Sequence, residues 1–234
     1  MSMTGWEWTQ KDTEELSEIC EKLRDNVPFA FSRWGDGEWI MVSKTYDERK
    51  NANIDGNIYY DDLADKLKYI VSQKQDYYMG HMKMPIADPY GNSLEHMKDE
   101  YPQNWINSDL LHGLSIRNQI PYMLELLDSI HVVYIGNESL KTLPFIDEFI
   151  EIPYKNVWNS YDQVLTNIKD HIQDNKHKTF LFSAGMATNV FVDDLWKYNK
   201  NNTYMDIGSV FDPYVGRRSR GYMRDHNINK LEKI

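Results

Sequence analysis

Apolar runs of strand length alternate with amphipathic segments along this chain, which predicts an α/β fold: a mainly parallel sheet with helices on both faces. Three observations carry that prediction. Runs rich in β-branched and aromatic residues recur at 29–32, 77–82, 131–135, 179–183 and 203–207. Helical periods fall between them, as in Leu16, Ile19, Cys20 and Leu23, or Leu63, Leu67, Ile70 and Val71. Small-residue turns close the strands at 32–38, 136–139 and 183–188. In such sheets ligands collect in the crevice beyond the carboxyl ends of the strands, so these turns are where chemistry is sought.

The first helix is predicted over 12–25, with Thr13 as its N-cap and Pro28 ending it. The strand at 29–32 follows, then the turn Arg33-Trp34-Gly35-Asp36-Gly37, where two glycines permit a tight reversal, and a helix over 38–43. A second amphipathic helix begins after Asp61 and Asp62 and leads into the strand at 77–82. Residues 85–120 mix Pro, Gly, Asn, His and Trp without a period and read as loops and short helices over one end of the sheet. Alternation returns with a helix at 121–129, a strand at 131–135, a turn at Gly136 and a strand at 148–152. Ser160-Tyr-Asp-Gln163 has capping-box spacing and opens a helix with Tyr161, Val164, Leu165, Ile168 and Ile172 on its apolar face. A strand at 179–183, the Ala184-Gly185 turn, a helix at 186–198 and a strand at 203–207 complete the series. Without repeats, low-complexity stretches or a linker, residues 1–234 read as one domain that ends in a basic extension, 217–234.

Composition narrows the function classes. At 234 residues, 27.8 kDa and 41% hydrophobic content the chain can bury a sizeable core. No apolar run reaches the roughly 20 residues of a membrane span. Residues 1–11 carry Trp and Glu where a signal peptide needs a basic patch and an apolar stretch, so a cytoplasmic location is expected. The single cysteine, Cys20, lies on the core face of the first helix and argues against internal disulfides and thiolate zinc. A net charge of −10 argues against a surface that tracks a phosphate backbone everywhere, while leaving room for a local basic patch. The 16 Tyr and 7 Trp suit half-buried rings with wet polar tips, and also suit flat surfaces facing sugars, bases or a second copy of the chain.

Three segments offer chemistry. In Arg33-Trp34-Gly35-Asp36-Gly37-Glu38 two carboxylates one glycine apart follow an arginine at a strand end. Such hard oxygen donors, Asp36 and Glu38, suit Mn²⁺ or Mg²⁺ bound together with substrate phosphates, and Arg33 can pair with a phosphate or orient a carboxylate. The same residues also make an ordinary Asp-Gly turn in front of a helix. Ser183-Ala184-Gly185-Met186-Ala187-Thr188 passes from strand to helix through small residues and can present free N–H groups to a phosphate. It lacks the Walker lysine and the GxGxxG pattern, which argues against a P-loop nucleotidase and a dinucleotide-binding dehydrogenase. Finally, Asp206 and Asp212 follow a strand end, and Arg217, Arg218, Arg220 and Arg224 crowd the segment after them, a cluster suited to a pyrophosphate or a polyanion. His81 and His112 come from segments near the predicted cleft, without metal-ligand spacing.

These motifs, Phe31-Ser-Arg-Trp-Gly-Asp-Gly-Glu38, Asn159-Ser-Tyr-Asp-Gln-Val-Leu165, Ser183-Ala-Gly-Met-Ala-Thr188 with Asp194-Leu195, and Met205-Asp-Ile-Gly208, stand in an order that resembles the GT-D glycosyltransferases, formerly DUF1792. The resemblance runs over about residues 16–214. It implies a Rossmann-like fold and a cation-dependent sugar transferase with a nucleotide-sugar donor, UDP-linked in the first instance. It also implies Asp36 and Glu38 as metal ligands with Arg33 beside them, and a donor pocket bordered by Ser183, Gly185, Met186 and Thr188. Independently of the resemblance, Arg217 and Arg220 suit phosphate contacts, and Asp206 and Asp212, which follow a strand end opposite the metal turn, are candidates to deprotonate the acceptor hydroxyl. Two departures stand out: Ser183-Ala-Gly-Met replaces a Gly-Pro-Thr type of turn, and the arginine cluster extends the C-terminal end. The acceptor is expected to be a cell-surface or protein-linked glycan, or a hydroxylated DNA base, with 85–120 shaping the choice. Other readings are a Rossmann-like methyltransferase using Gly136-Asn-Glu138, and a non-catalytic nucleotide-binding module.

Overall fold

The computed structural model describes residues 8–43, 58–83, 87, 91–117, 119–173, 176–219 and 223. Its centre is a seven-stranded, wholly parallel sheet. In chain order the strands are β1 (Ala30–Trp34), β2 (Tyr78–His81), β3 (Trp105–Asn107), β4 (Val132–Gly136), β5 (Glu148–Glu151), β6 (Thr179–Phe182) and β7 (Thr203–Asp206), arranged in space as β3-β2-β1-β7-β6-β4-β5. Among the described residues the α-helices are α1 (Gln10–Arg24), α2 (Asp36–Ser43), α3 (Asp61–Ser72), α4 (Met97–Glu100), α5 (Leu110–Ile116), α6 (Ile120–Asp128), α7 (Tyr161–Asp170) and α8 (Ala187–Tyr198).

Both faces of the sheet are covered, as a parallel sheet requires. Along β4, Val133 and Ile135 join one core with Phe180, Phe182 and the helices α2, α3, α7 and α8, while Val132 and Tyr134 point into a second core with Leu181, Met205 and α1, α5 and α6. The period of two thus holds on strands that are apolar on both sides. Among the described residues no helix is long and apolar enough to cross a membrane.

The turns leaving β1 and β6 enter the first core layer through α2 and α8, whereas those leaving β4 and β7 enter the second, through Leu140 and through Ile207, Val210 and Phe211. Loops from adjacent strands therefore part to opposite faces all along β1-β7-β6-β4, and a crevice opens across those carboxyl ends.

Local signals differ from expectation in three places. The N-cap of α1 is Thr9 rather than Thr13, because Asp12 sits three residues on and returns a hydrogen bond to the Thr9 N–H. Ser160 does precede α7, but its hydroxyl donates to the Val157 carbonyl, so the capping-box bond does not form. Residues 85–120 hold a strand, β3, at the sheet edge as well as the expected short helices α4 and α5.

Candidate active site

The site grows from the end of β1. Arg33 donates from Nε to the Ser108 carbonyl at 2.7 Å and from Nη2 to Asp109 Oδ1 at 3.3 Å, and its Nη1 lies 4.0 Å from Asp206 Oδ1. One guanidinium thereby ties the ends of β1, β3 and β7 together. Asp206 accepts the Gly208 N–H at 2.9 Å, which fixes the carboxylate over its own turn. Gly208 has φ +53°, and a Cβ there would lie 2.1 Å from Arg33 Nη1. Only glycine lets the chain bend here with the guanidinium packed against it.

Behind Arg33 the backbone is locked. Asn189, fully buried in the first turn of α8, donates through Nδ2 to Ser32 Oγ at 3.0 Å and to the Arg33 carbonyl at 2.7 Å. In front of it, α2 begins at Asp36, and Glu38 reaches back so that Oε2 accepts the Gly35 N–H at 2.9 Å. Gly37 sits beneath Met186, where a Cβ would come within 3.3 Å of the thioether, so the N-terminal ends of α2 and α8 meet through this pair.

The electrostatics single out two carboxylates. Loss of water drives Glu38 up to about 7 against the opposing Gly35 N–H bond, and the negative charges of Asp206 and Asp36 add to the rise. Loss of water likewise lifts Asp206 to about 6 although Arg33 and the Gly208 N–H pull it down. Glu38 and Asp206 therefore repel one another in a poorly hydrated crevice, with Arg33 as the nearby cation.

The other residues singled out from sequence take different places. The Ser183 hydroxyl donates to the Gly208 carbonyl at 2.6 Å and meets Tyr134 Oη at 2.8 Å, pinning the ends of β4, β6 and β7 to one another. Gly185 has φ +61° and faces open space, so the β6 turn leaves its backbone accessible. Thr188 is fully buried, its N–H donates to the Gly185 carbonyl, and its hydroxyl has no hydrogen-bond partner among the described residues. Asp212 is buried and bound to the Ser219 hydroxyl and, at 3.7 Å, to Arg217. Arg217 also donates to Ser139 Oγ and lies 4.5 Å over the Tyr154 ring, so its guanidinium is engaged within the fold. Arg220 and Arg224 lie outside the described residues.

Of the histidines, His81 packs among Trp39 and Trp105, and desolvation lowers its pKa, while His112 comes from α5 near Gly208. Asp109 was missed from sequence. The signal available was the Asn107-Ser-Asp109 run after an apolar pair, a strand ending in a polar turn, too short to distinguish from loop.

Comparison with known proteins gives a match only at the level of structure: no family model matches the sequence, and no curated protein matches it. A structure described as a new glycosyltransferase (DUF1792) from Streptococcus sanguinis superposes with a TM-score of 0.61, covering 93% of each chain at 16% identity. A DUF1792 structure with selenomethionine scores 0.58 at 15% identity, covering 93% of this chain and 90% of its own. Another, described as having a distinct glycosyltransferase fold, scores 0.56 with the same coverage and identity. At such identities the likeness is one of architecture, and it extends over nearly the whole length: this chain has the DUF1792 glycosyltransferase fold.

Proposed function

We propose that the protein is a glycosyltransferase that moves a sugar from a nucleotide-sugar donor to an acceptor hydroxyl, with Mn²⁺ or Mg²⁺ as cofactor. The observation that carries the reading is the convergence of Arg33, Glu38 and Asp206 where loops part at the carboxyl ends of β1 and β7. The likeness of fold to DUF1792 glycosyltransferases supports it.

The residues fit a cation of a particular kind. Among the described residues no three His, Cys, Asp or Glu side chains gather to hold a metal ion by themselves. Asp36 and Glu38, one glycine apart in the first turn of α2, instead suit an ion that is shared with a diphosphate, for which one or two protein carboxylates suffice. Asp206, at the end of β7, adds a third negative charge near Glu38. When bound, such an ion would neutralise charge on the departing diphosphate. Arg33 orients Asp206 and supplies a fixed positive charge, and the exposed Gly185 turn with the α8 N-terminus favours a phosphate over that strand end. Asp206 can take the acceptor hydroxyl proton on Oδ2, since Oδ1 is held by Gly208.

A thermal-shift screen of UDP-, GDP-, TDP- and CMP-linked sugars with and without Mn²⁺ tests this. A ligand at 100 times its Kd stabilises by about 2.7 kcal/mol. One nucleotide class should shift the transition only with metal, and Glu38→Gln should abolish the shift. No shift with any donor would return the Asp-Gly-Glu segment to the status of a turn.

A further inference from the structure

Arg33 is held on one edge of its guanidinium fork and left open on the other. Nε meets the Ser108 carbonyl at 2.7 Å and Nη2 meets Asp109 Oδ1 at 3.3 Å, both in the segment that links β3 to α5, while Nη1 stands 4.0 Å from Asp206 Oδ1. The grip is itself braced. Asn107, buried at the end of β3, accepts the Asp109 N–H through Oδ1 at 2.8 Å and donates through Nδ2 to Asp12 Oδ1 at 2.8 Å, so its amide can point only one way. Asp12 belongs to the first turn of α1, and the Asn107 N–H donates to Glu15 Oε2 on the same helix at 2.9 Å. A continuous polar path thus runs from α1 through Asn107 and Asp109 to the Arg33 guanidinium.

A carboxylate that served only to stabilise the fold would have both oxygens satisfied. Asp109 is 6% exposed, yet its Oδ2 has no hydrogen-bond partner among the described residues. Such a bare buried oxygen costs about 1–3 kcal/mol. Its contact with Arg33 is also single, where arginine and carboxylate favour a two-bond fork. What the charge at Asp109 does is compete for Arg33. Asp206 is the other carboxylate within reach among the described residues, and its Oδ1 is already taken by the Gly208 N–H. Were Arg33 to close on Asp206, it would cover Oδ2, the oxygen left for the acceptor hydroxyl. Asp109, fixed by Asn107, holds the guanidinium back from that collapse, and Gly208 leaves it room to lie against the end of β7.

We infer that Asp109 and Asn107 are positioning residues of the transfer reaction, which keep Arg33 from closing on Asp206. This rests on the transferase reading, and its test separates the two. The variants are Asp109→Asn, which is isosteric, Asn107→Ala, and Glu15→Ala as a control that loses an α1–β3 bond without touching the Asn107 side chain. In protein carrying isotopically labelled arginine, the Arg33 Nε–H resonance is identified by its loss in Arg33→Lys. It should exchange with water about tenfold faster in Asp109→Asn and Asn107→Ala, as for one charge-assisted hydrogen bond lost, and should be unchanged in Glu15→Ala. Turnover is read as nucleotide released from the nucleotide sugar that shifts the thermal transition, with Mn²⁺ and with water in place of the acceptor. Asp109→Asn should lower kcat about a hundredfold, and Asn107→Ala should lower it in the same sense, both at unchanged donor Kd, while Glu15→Ala keeps the wild-type rate. An Arg33 resonance that does not respond, an unchanged kcat, a loss of turnover matched by a loss of donor binding, or an equal loss in Glu15→Ala overturns the inference and leaves the transferase reading standing. A wild type that releases nucleotide from no donor removes that reading, and the positioning role falls with it.

Discussion

Gly208 and Gly185 share a left-handed backbone but differ in what surrounds them, and the difference is measurable. At Gly208 an added Cβ would stand 2.1 Å from Arg33 Nη1, whereas at Gly185 it would meet nothing within 4 Å. Gly208→Ala should therefore add a clash with a clamped guanidinium to the backbone strain and lose about 2–3 kcal/mol, while Gly185→Ala should lose only about 1 kcal/mol. Urea unfolding of the two variants reads both values, and equal losses would mean that Arg33 is not held as described. Glu38 gives a second prediction with a defined sign. Its folded pKa of about 7 lies above the unfolded carboxylate value of about 4.3, so ionisation opposes folding, and the penalty grows as pH rises from 4.3 through 7. Glu38→Gln keeps an oxygen for the Gly35 N–H and removes the charge, so without ligand it should be more stable than the wild type at pH 8, by on the order of 2 kcal/mol, and no more stable at pH 4. Chemical denaturation at the two pH values checks it.

Whole elements are attached to one another at a few buried polar points, and α1 shows how. Asp12 is fully buried, caps the helix through Thr9, and binds Lys83 and Asn107 from the ends of β2 and β3. Burial alone would raise its pKa, but those hydrogen bonds win and hold it down at about 2. A carboxylate lowered in this way stabilises the fold above its unfolded value of about 3.9, and the benefit disappears as pH falls through 2. Asp12→Asn should thus cost about 2 kcal/mol at pH 7 and flatten the loss of stability between pH 4 and pH 2, as measured by acid titration of the far-UV signal. The same element shows what was legible in the sequence. The apolar period that placed α1, α3 and α7 depends on neighbours three and four residues away, which the chain displays directly. The buried strands β4, β6 and β7 announce themselves by composition and by the turns that follow. By contrast β3 is three residues long, and it is recruited by pairing with β2, a contact that local sequence does not display. The site divides in the same way. Arg33, Glu38 and Asp206 were readable as residues of strand-end turns, whereas Asp109 as the partner of Arg33, and Ser183 as a fastening between the ends of β4, β6 and β7, depend on which strands become neighbours.

At the scale of the whole molecule the sheet has two unlike ends. The carboxyl ends of β1, β7, β6 and β4 face a crevice with exposed backbone at Gly185 and repelling carboxylates at Glu38 and Asp206. The opposite end carries its own charged cluster, in which Glu148 at the start of β5 meets His131, His171 and Lys178, and hydrogen bonds from His131 and Lys178 overcome desolvation to lower the Glu148 pKa. That cluster satisfies its charge internally, with Lys178 also donating to the His171 carbonyl. A donor bound along the crevice should therefore protect one end only. In amide hydrogen exchange with Mn²⁺ and the nucleotide sugar that shifts the thermal transition, segments 35–38, 183–188 and 206–208 should slow together, because a single ligand spans the ends of β1, β7 and β6. Segments 146–148 and 176–179 should exchange as before. Protection limited to 35–38 and 206–208 would mean that the Gly185 turn does not hold a phosphate of the donor. Protection at the Glu148 end would mean that ligand binding stabilises the fold globally, and the division of labour between the two ends would fail.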